Sequence, residues 1–163
     1  MTHVEKVTPC IVKQTDPLLS TAINRYGCRA MCLLAIPQFV AGRCLEPDDV
    51  QDILQQGRHE DGVIINDRVR TGVNEHWLIN TAFSRLGAIR RGRQVGWSKE
   101  HYDAGDWHYA IVHYLTDGPD GHFVLEDRRR VRIYDPHDAG QAGYEINMRE
   151  PIGWRLYKTW SVK

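Results

Sequence analysis

Residues 24–32 read NRYGCRAMC and place Cys28 directly after Gly27, at the start of an apolar stretch. From residue 26 to residue 40 the chain is almost entirely apolar and is rich in Ala, Met and Leu, which favour a helix. Because such a helix would be apolar on most of its sides, we expect it to be buried, and we expect Pro37 to end or kink it. The stretch therefore predicts a core helix with a cysteine at its N-terminus.

The other elements predict an α+β fold in which helices come first and an antiparallel sheet follows. Helix start and stop signals predict a second helix over 46–57 and a third over 74–87. Stretches rich in β-forming residues predict strands at 10–14, 106–116, 122–126, 130–135 and 153–162, the last of them an edge strand. No repeat or linker interrupts residues 1–163, so we predict a single domain.

Composition narrows the classes of protein to which the chain can belong. It has 163 residues, 42% of them hydrophobic and 26% charged, with a formal net charge of zero, as is typical of a globular domain. Nucleic-acid-binding proteins usually carry excess positive charge, so we expect no nucleic-acid partner. No apolar stretch reaches the length of a membrane span, and the N-terminus lacks the apolar core of a secretory signal. We therefore expect a cytoplasmic protein with no membrane partner.

The four cysteines, Cys10, Cys28, Cys32 and Cys44, all lie in the first third of the chain. Because nothing in the sequence indicates secretion, we expect free thiols rather than disulfides. Cys32 lies one helical turn beyond Cys28, inside the apolar run, and we assign it to the core.

Cys28 occupies a position that favours thiol chemistry. The unpaired N–H groups and the dipole at a helix N-terminus stabilise a thiolate, and the same N–H groups can hold an oxyanion. The simpler interpretation is a small buried hydrophobe, which most free cysteines are. Position alone favours the simpler interpretation, so the choice depends on whether a base lies nearby.

A base is predicted by residues 121–136, GHFVLEDRRRVRIYDP, which have the pattern of a hairpin. If Glu126 pairs with Val131 around a loop of four or two residues, His122 faces Asp135. Opposed residues have Cβ atoms about 5 Å apart, so the carboxylate would orient the imidazole and stabilise its protonated form. The four-residue loop is favoured because the turn lacks the glycine of a two-residue loop, and a loop of odd length would break the parity.

Asp135 also alternates in phase with Val131 and Ile133, which places its carboxylate on the apolar side of the hairpin. A carboxylate there is costly without a partner, and His122 is the partner at hand. The alternative is that Asp135 begins a turn before Pro136 and that His122 merely ends a strand. The matched register is the observation that supports the catalytic interpretation against this alternative.

YGCRAMCLLAI followed by GHFVLED and VRIYDPHD resembles the papain-like cysteine peptidases, over roughly residues 10–138. The similarity is closest to the branch that contains the bacteriocin-leader-cleaving peptidases and related phage and prophage proteins. In that branch Gly-Cys opens a buried helix, a His begins a strand, and Asp-Pro follows the next strand. The resemblance implies a papain-like fold in which the buried helix carries the cysteine and packs on an antiparallel sheet.

The resemblance also implies roles for particular residues. Cys28 would be the nucleophile, His122 the general base and acid, and Asp135 the residue that orients the imidazole. The family uses a side-chain amide upstream of the cysteine in its oxyanion hole. The candidates are Gln14 and Asn24, neither at the family's usual spacing, and Gln14 is preferred because the loop after it can fold back towards Cys28.

We therefore predict a cysteine peptidase that cleaves a peptide, isopeptide or other amide bond through a Cys-His-Asp triad, with no cofactor. Its partner would be a peptide or protein substrate, whose identity the sequence leaves open, as it does the oligomeric state. The alternative is a papain-like binding module with weak or no activity, phage-encoded and acting on a host partner.

Two further motifs, a set of metal-ligating residue types and two basic clusters, have simpler interpretations than a binding site. Cys, His and Asp together suit zinc, but the sequence lacks close ligand pairs, and His108 and His113 lie on one predicted strand with opposite orientations. His113 would share the face of His122 if residues 116–121 formed a symmetric loop.

The basic clusters at 90–93 and 128–130 are interpreted as solvated loops, because the chain is neutral as a whole.

Overall fold

The computed structural model describes residues 3–60, 64–65, 69–70, 75–100, 105–118, 121–137 and 148–162. In these parts of the chain the helices are α1 (His3–Val7), α2 (Thr21–Tyr26), α3 (Cys28–Ala41), α4 (Pro47–Glu60) and α5 (Glu75–Arg85). The strands are β1 (Ile64–Ile65), β2 (Val69–Arg70), β3 (Arg90–Ser98), β4 (Tyr109–Thr116), β5 (His122–Asp127), β6 (Arg132–Tyr134) and β7 (Met148–Ser161). No helix among the described residues is long and apolar enough to cross a membrane.

The α+β prediction is confirmed. Five strands form one antiparallel sheet in the order β3-β7-β4-β5-β6, while β1 and β2 form a separate two-stranded pair. Helix α3 packs against β5 and α5, and α5 packs against β3. The main core lies between these helices and one face of the sheet, and a smaller apolar cluster covers the other face: Trp107, Ala110, Val112, Val124, Trp154 and Leu156.

Helix α3 is the predicted buried helix, and it begins at Cys28. Every residue from Ala30 to Phe39 is buried, because the helix is apolar on all sides and is enclosed by other elements. Pro37 does not end the helix, which continues to Ala41 and stops at Gly42, where φ is +67°. Beyond the proline, Gln38 strengthens the last turn, since its amide donates to the carbonyl of Leu34 at 2.9 Å.

Several boundaries and placements differ from the sequence prediction. Helix α4 runs past Gly57, which is buried inside it. Residues 90–93 belong to strand β3 rather than to a loop. Strand β7 lies between β3 and β4, so the predicted edge strand is central. Residues 10–14 form no strand, because their backbone makes isolated contacts instead of a ladder, one of them from Gln14 N to Pro136 O at 2.9 Å.

The expectation of four free thiols is wrong for two of them. Cys10 and Cys44 form a disulfide with their Cα atoms 6.1 Å apart, and only Cys28 and Cys32 are free. The bridge joins the segment after α1 to the segment after α3, which become neighbours because α1 packs against α3. A pairing over a separation of 34 residues depends on the tertiary fold, so cysteine spacing did not reveal it.

The β5–β6 hairpin has a loop of odd length. Asp127 N donates to Val131 O at 3.0 Å, which leaves residues 128–130 in the loop, and Arg130 has a φ of 66°. A three-residue loop that ends in a left-handed residue is a common hairpin connection. Glu126 therefore pairs with Arg132 and not with Val131.

A bulge follows this loop and changes the register once more. Leu125 pairs with Tyr134, so the register expected from a Glu126–Val131 pair is wrong here as well. The extra residue of the bulge restores the parity that the odd loop broke. If this register continued beyond the strand, His122 would oppose His137 and Asp135 would be its diagonal neighbour, which is within reach of a long side chain.

Candidate active site

His122 and Asp135 are in direct contact. Nε2 of His122 lies 2.7 Å from Oδ1 of Asp135, and the imidazole is 1% exposed while the carboxylate is 25% exposed. The predicted pair is therefore present, although the residues meet diagonally and not as an opposed pair. The ring of His137 stands edge-on to that of His122 with centroids 5.0 Å apart, in agreement with the register of the bulged hairpin.

The electrostatics of the pair favour an imidazolium beside a carboxylate. Burial alone would lower the pKa of His122, but the hydrogen bond to Asp135 and the influence of the neighbouring Cys28 thiol outweigh burial and raise the pKa to about 9. Burial would raise the pKa of Asp135, but the hydrogen bond from His122 lowers it below its usual value. Each group therefore stabilises the charged form of the other.

Cys28 lies at the first position of α3 and is partly exposed. Its charge acts on the imidazole of His122 and helps to raise the pKa of that ring. Gly27 makes this turn possible, because a Cβ at that position would lie 2.6 Å from the carbonyl oxygen of Ile23. The glycine thus allows α2 to end and α3 to begin without an intervening loop, which fixes the cysteine at the helix N-terminus.

The two nitrogens of His122 have different surroundings. Nε2 faces the Asp135 carboxylate, which only accepts hydrogen bonds while ionised, so Nε2 carries a proton. Nδ1 is buried and makes no hydrogen bond of good geometry with any described residue. In the neutral ring Nδ1 therefore holds the free lone pair, and the thiol of Cys28 is the group available to it.

The two amide candidates for an oxyanion hole lie close to each other, at the end of α2. Gln14 is 1% exposed, and its Nε2 donates to the carbonyl oxygens of Asn24 at 3.1 Å and Ile23 at 3.4 Å. Asn24 Nδ2 donates to the carbonyl oxygens of Gln14 at 2.6 Å and Asp16 at 2.9 Å. Both amide groups thus hold the chain that leads to Cys28, and their N–H bonds are already occupied.

Sequence reasoning missed several residues that support the site. Lys13 Nζ donates to the carbonyl oxygen of Asp135 at 2.5 Å, and the hydroxyl of Tyr134 donates to the carbonyl oxygen of Val12 at 2.7 Å. His137 N donates to Oδ1 of Asp135 at 3.0 Å, a contact that the Asp-Pro-His order of a turn could have indicated. Together these bonds attach the chain before α2 to the segment that carries Asp135.

Cys32 and His113 contribute to the surroundings of the site. Cys32 is fully buried, as predicted, and burial raises the pKa of its thiol well above the usual value. His113 opposes Phe123 and stacks on its ring with centroids 4.3 Å apart, so it does not share the orientation of His122. Among the described residues, no three His, Cys, Asp or Glu side chains are placed so that they could share a metal ion.

Comparison of the chain with known proteins gave no match to a family model, to a curated protein or to a solved structure.

Proposed function

We propose that this protein is a papain-like cysteine hydrolase that cleaves an amide bond with Cys28, His122 and Asp135. The observation that carries the proposal is the orientation of His122. Its Nε2 is bound to Asp135, its buried Nδ1 forms no hydrogen bond among the described residues, and the charge of Cys28 at the start of α3 acts on the ring. A base held in one tautomer beside a nucleophile at a helix N-terminus is the arrangement that thiol hydrolysis requires.

In the proposed reaction, the proton of Cys28 has passed to Nδ1 of His122, which gives a thiolate beside an imidazolium, and the thiolate sulfur attacks the carbonyl carbon of the substrate. Backbone N–H groups at the start of α3 stabilise the oxyanion. The imidazolium then protonates the leaving amine, and the C–N bond breaks to leave a thioester. Water, deprotonated by His122, attacks the thioester, and the acid is released as the thiol regains its proton.

The test of this proposal is the rate of alkylation of each free cysteine by iodoacetamide as a function of pH, mapped by mass spectrometry. We expect Cys28 to react fast at about pH 6, well below the pKa of about 8.5 of an ordinary thiol. In His122→Ala this reactivity at low pH should disappear. Cys32 is the internal control, since a fully buried thiol should stay inert while the protein is folded.

The proposal fails if Cys28 is inert in the native protein or reacts with the same pH profile in His122→Ala.

One observation favours a second candidate, a binding module that keeps the fold without efficient catalysis. The amides of Gln14 and Asn24 are both committed to backbone carbonyls, so the oxyanion would depend on backbone N–H groups alone. Reactive Cys28 without turnover of any peptide pool would support that candidate.

A further inference from the structure

A cluster of cationic side chains surrounds Phe123, the residue next to His122. The guanidinium carbon of Arg155 lies 5.5 Å from the centre of the Phe123 ring, and that of Arg29 lies 6.0 Å from it. His113 stacks on the same ring with centroids 4.3 Å apart. Two guanidinium groups and an imidazole are therefore gathered around one aromatic side chain.

The cluster adjoins the candidate active site. Arg29 directly follows Cys28 in α3, and the charge of Cys28 acts on its guanidinium. Cys32 Sγ lies 3.6 Å from the carbonyl oxygen of Phe123, which places β5 against the first turns of α3. A substrate bound over the thiol would therefore lie beside these cations.

The positive charge of the cluster is only partly neutralised. Arg29 forms an ion pair with Glu75, whose carboxylate also accepts a hydrogen bond from the Tyr157 hydroxyl. Arg155 forms no ion pair or hydrogen bond among the described residues, and its contact is the Phe123 ring. Among the described residues of the cluster, the Glu75 carboxylate thus offsets the charge of Arg29, and the charge of Arg155 is left without a carboxylate partner.

The pKa values of Arg29 and His113 reflect how close these two side chains lie to Arg155. Burial lowers the pKa of Arg29, and the charge of Arg155 lowers it further. Burial also lowers the pKa of His113, with smaller contributions from Arg155 and Arg29. His113 is therefore neutral near pH 7, and the charge available to a ligand comes from the arginines.

We propose that Arg155 and Arg29 form a carboxylate-binding subsite beside Cys28, so that the substrate carries a carboxylate close to the bond that is cleaved. The inference rests on the proposed function, because it assigns a preference to the same thiol. A guanidinium suits this role, since its planar N–H groups match the two oxygens of a carboxylate. The Arg29 side chain is 21% exposed and Arg155 is partly exposed, so both are within reach of a ligand.

The test compares two alkylating agents of nearly equal size, iodoacetate and neutral iodoacetamide. With either agent the sulfur of Cys28 forms a bond to the CH₂ carbon and iodide leaves with the electron pair. The measured quantity is the ratio of the two rate constants, iodoacetate over iodoacetamide, at Cys28. We expect Arg155→Met to lower this ratio about three- to tenfold with the iodoacetamide rate nearly unchanged.

Matched variants separate the charge from the fold. Arg155→Lys should keep most of the ratio because it keeps the positive charge. Arg93→Met is the control, since Arg93 also lies over an aromatic ring, 6.0 Å from the centre of Trp160, on the exposed strand β3. Added sodium chloride should lower the ratio in the native protein through screening, which tests the idea without any substitution.

The outcomes distinguish the two proposals. If Cys28 does not react with iodoacetamide, the proposed function fails. If it reacts but the ratio is the same in the native protein, in Arg155→Met and in added salt, the subsite is overturned while the proposed function stands. A fall in the ratio in Arg155→Met that Arg93→Met does not share supports the subsite.

Two kinds of carboxylate fit the same chemistry, an acidic side chain and the C-terminus of a peptide. Protection of Cys28 from iodoacetamide distinguishes them, with N-acetylaspartate amide and N-acetylglycine as competitors and N-acetylasparagine amide as the neutral control. Stronger protection by the first indicates an acidic side chain, and by the second a terminal carboxylate. Equal protection by all three compounds would overturn recognition of a carboxylate.

Discussion

Oδ1 of Asp135 accepts two hydrogen bonds, one from Nε2 of His122 at 2.7 Å and one from the backbone N–H of His137 at 3.0 Å. The bond from the His137 N–H fixes the orientation of the carboxylate within the turn that contains both residues. The imidazole of His122 therefore meets an acceptor that is already oriented. His122 is thereby kept in the tautomer that leaves Nδ1 for Cys28. This relationship links the charge of His122 to that of Asp135 and leads to the first prediction.

The stability of the protein should depend on pH through His122. The pKa of His122 is raised to about 9 in the folded state, against about 6.5 for an ordinary histidine. Its contribution is therefore present in full below about pH 6.5 and is lost as the pH rises through about 9. We expect the free energy of unfolding in urea to fall by on the order of 1–3 kcal/mol over this range.

The matched variants for that measurement are Asp135→Asn, which removes the charged partner, and His122→Gln, which removes the titrating group. Both should flatten the dependence of the unfolding free energy on pH between about 6.5 and 9. An equally steep dependence in His122→Gln would assign the effect to other groups.

The side chain of Asn24 should be required for its donors and not for its size. It donates to two carbonyl oxygens, those of Gln14 and Asp16. Asn24→Ala loses both bonds, and we expect a cost of about 1–3 kcal/mol in urea unfolding. Asn24→Asp should cost more, because a carboxylate would face the same carbonyl oxygens. If Asn24→Asp is as stable as the native protein, the hydrogen bonds assigned to Asn24 are wrong.

The disulfide between Cys10 and Cys44 should contribute to stability through the unfolded chain. For a separation of 34 residues, the loop-entropy relation gives a loss of about 3–4 kcal/mol on removal of the bridge. Cys10→Ser, Cys44→Ser and the double variant should therefore show nearly equal losses in unfolding experiments under oxidising conditions. Peptide mapping of the non-reduced native protein should recover the two cysteines linked, and two free thiols there would contradict the assignment.

Gly27→Ala should disturb the start of α3. The added methyl group would lie 2.6 Å from the carbonyl oxygen of Ile23 and 2.8 Å from its Cγ2 atom. Since the closer atom belongs to the backbone, the helix must shift, and we expect a loss of about 1–3 kcal/mol together with slower alkylation of Cys28. Gly96→Ala is the control, because its methyl group would meet only Leu156 Cδ1 at 3.6 Å. Equal effects of the two substitutions would show that the space at Gly27 is not limiting.

Local patterns in the sequence were enough to predict the class of the fold and the three longer helices α3, α4 and α5, but not the short helices α1 and α2. The apolar run around residues 28–41 forms a buried helix because no side of it can face water without cost. Pro47 begins α4 and a glycine follows α3, as their backbone preferences require. These features depend on neighbouring residues, which is why the sequence alone predicts them.

The order of strands was harder to predict, because it depends on contacts between distant residues. Strand β7 lies inside the sheet because β3 covers its far side. The sequence predicts a loop at residues 90–93, where β3 begins, because arginine and glycine are poor β-formers. The disulfide was missed for the same reason, because Cys10 and Cys44 become neighbours only when α1 packs against α3.

The sequence by itself determined that Cys28 begins a buried helix and that His122 and Asp135 flank a hairpin, because helix and strand periodicity are local properties. Tertiary structure decided how these residues meet. The odd loop and the bulge each shift the register by one residue, so Asp135 reaches Nε2 of His122 as a diagonal neighbour and not as the opposed residue. The fold likewise determined that the side-chain amides of Gln14 and Asn24 donate to backbone carbonyl oxygens. A buried amide forms hydrogen bonds with whichever acceptors surround it, and those acceptors are set by the tertiary structure.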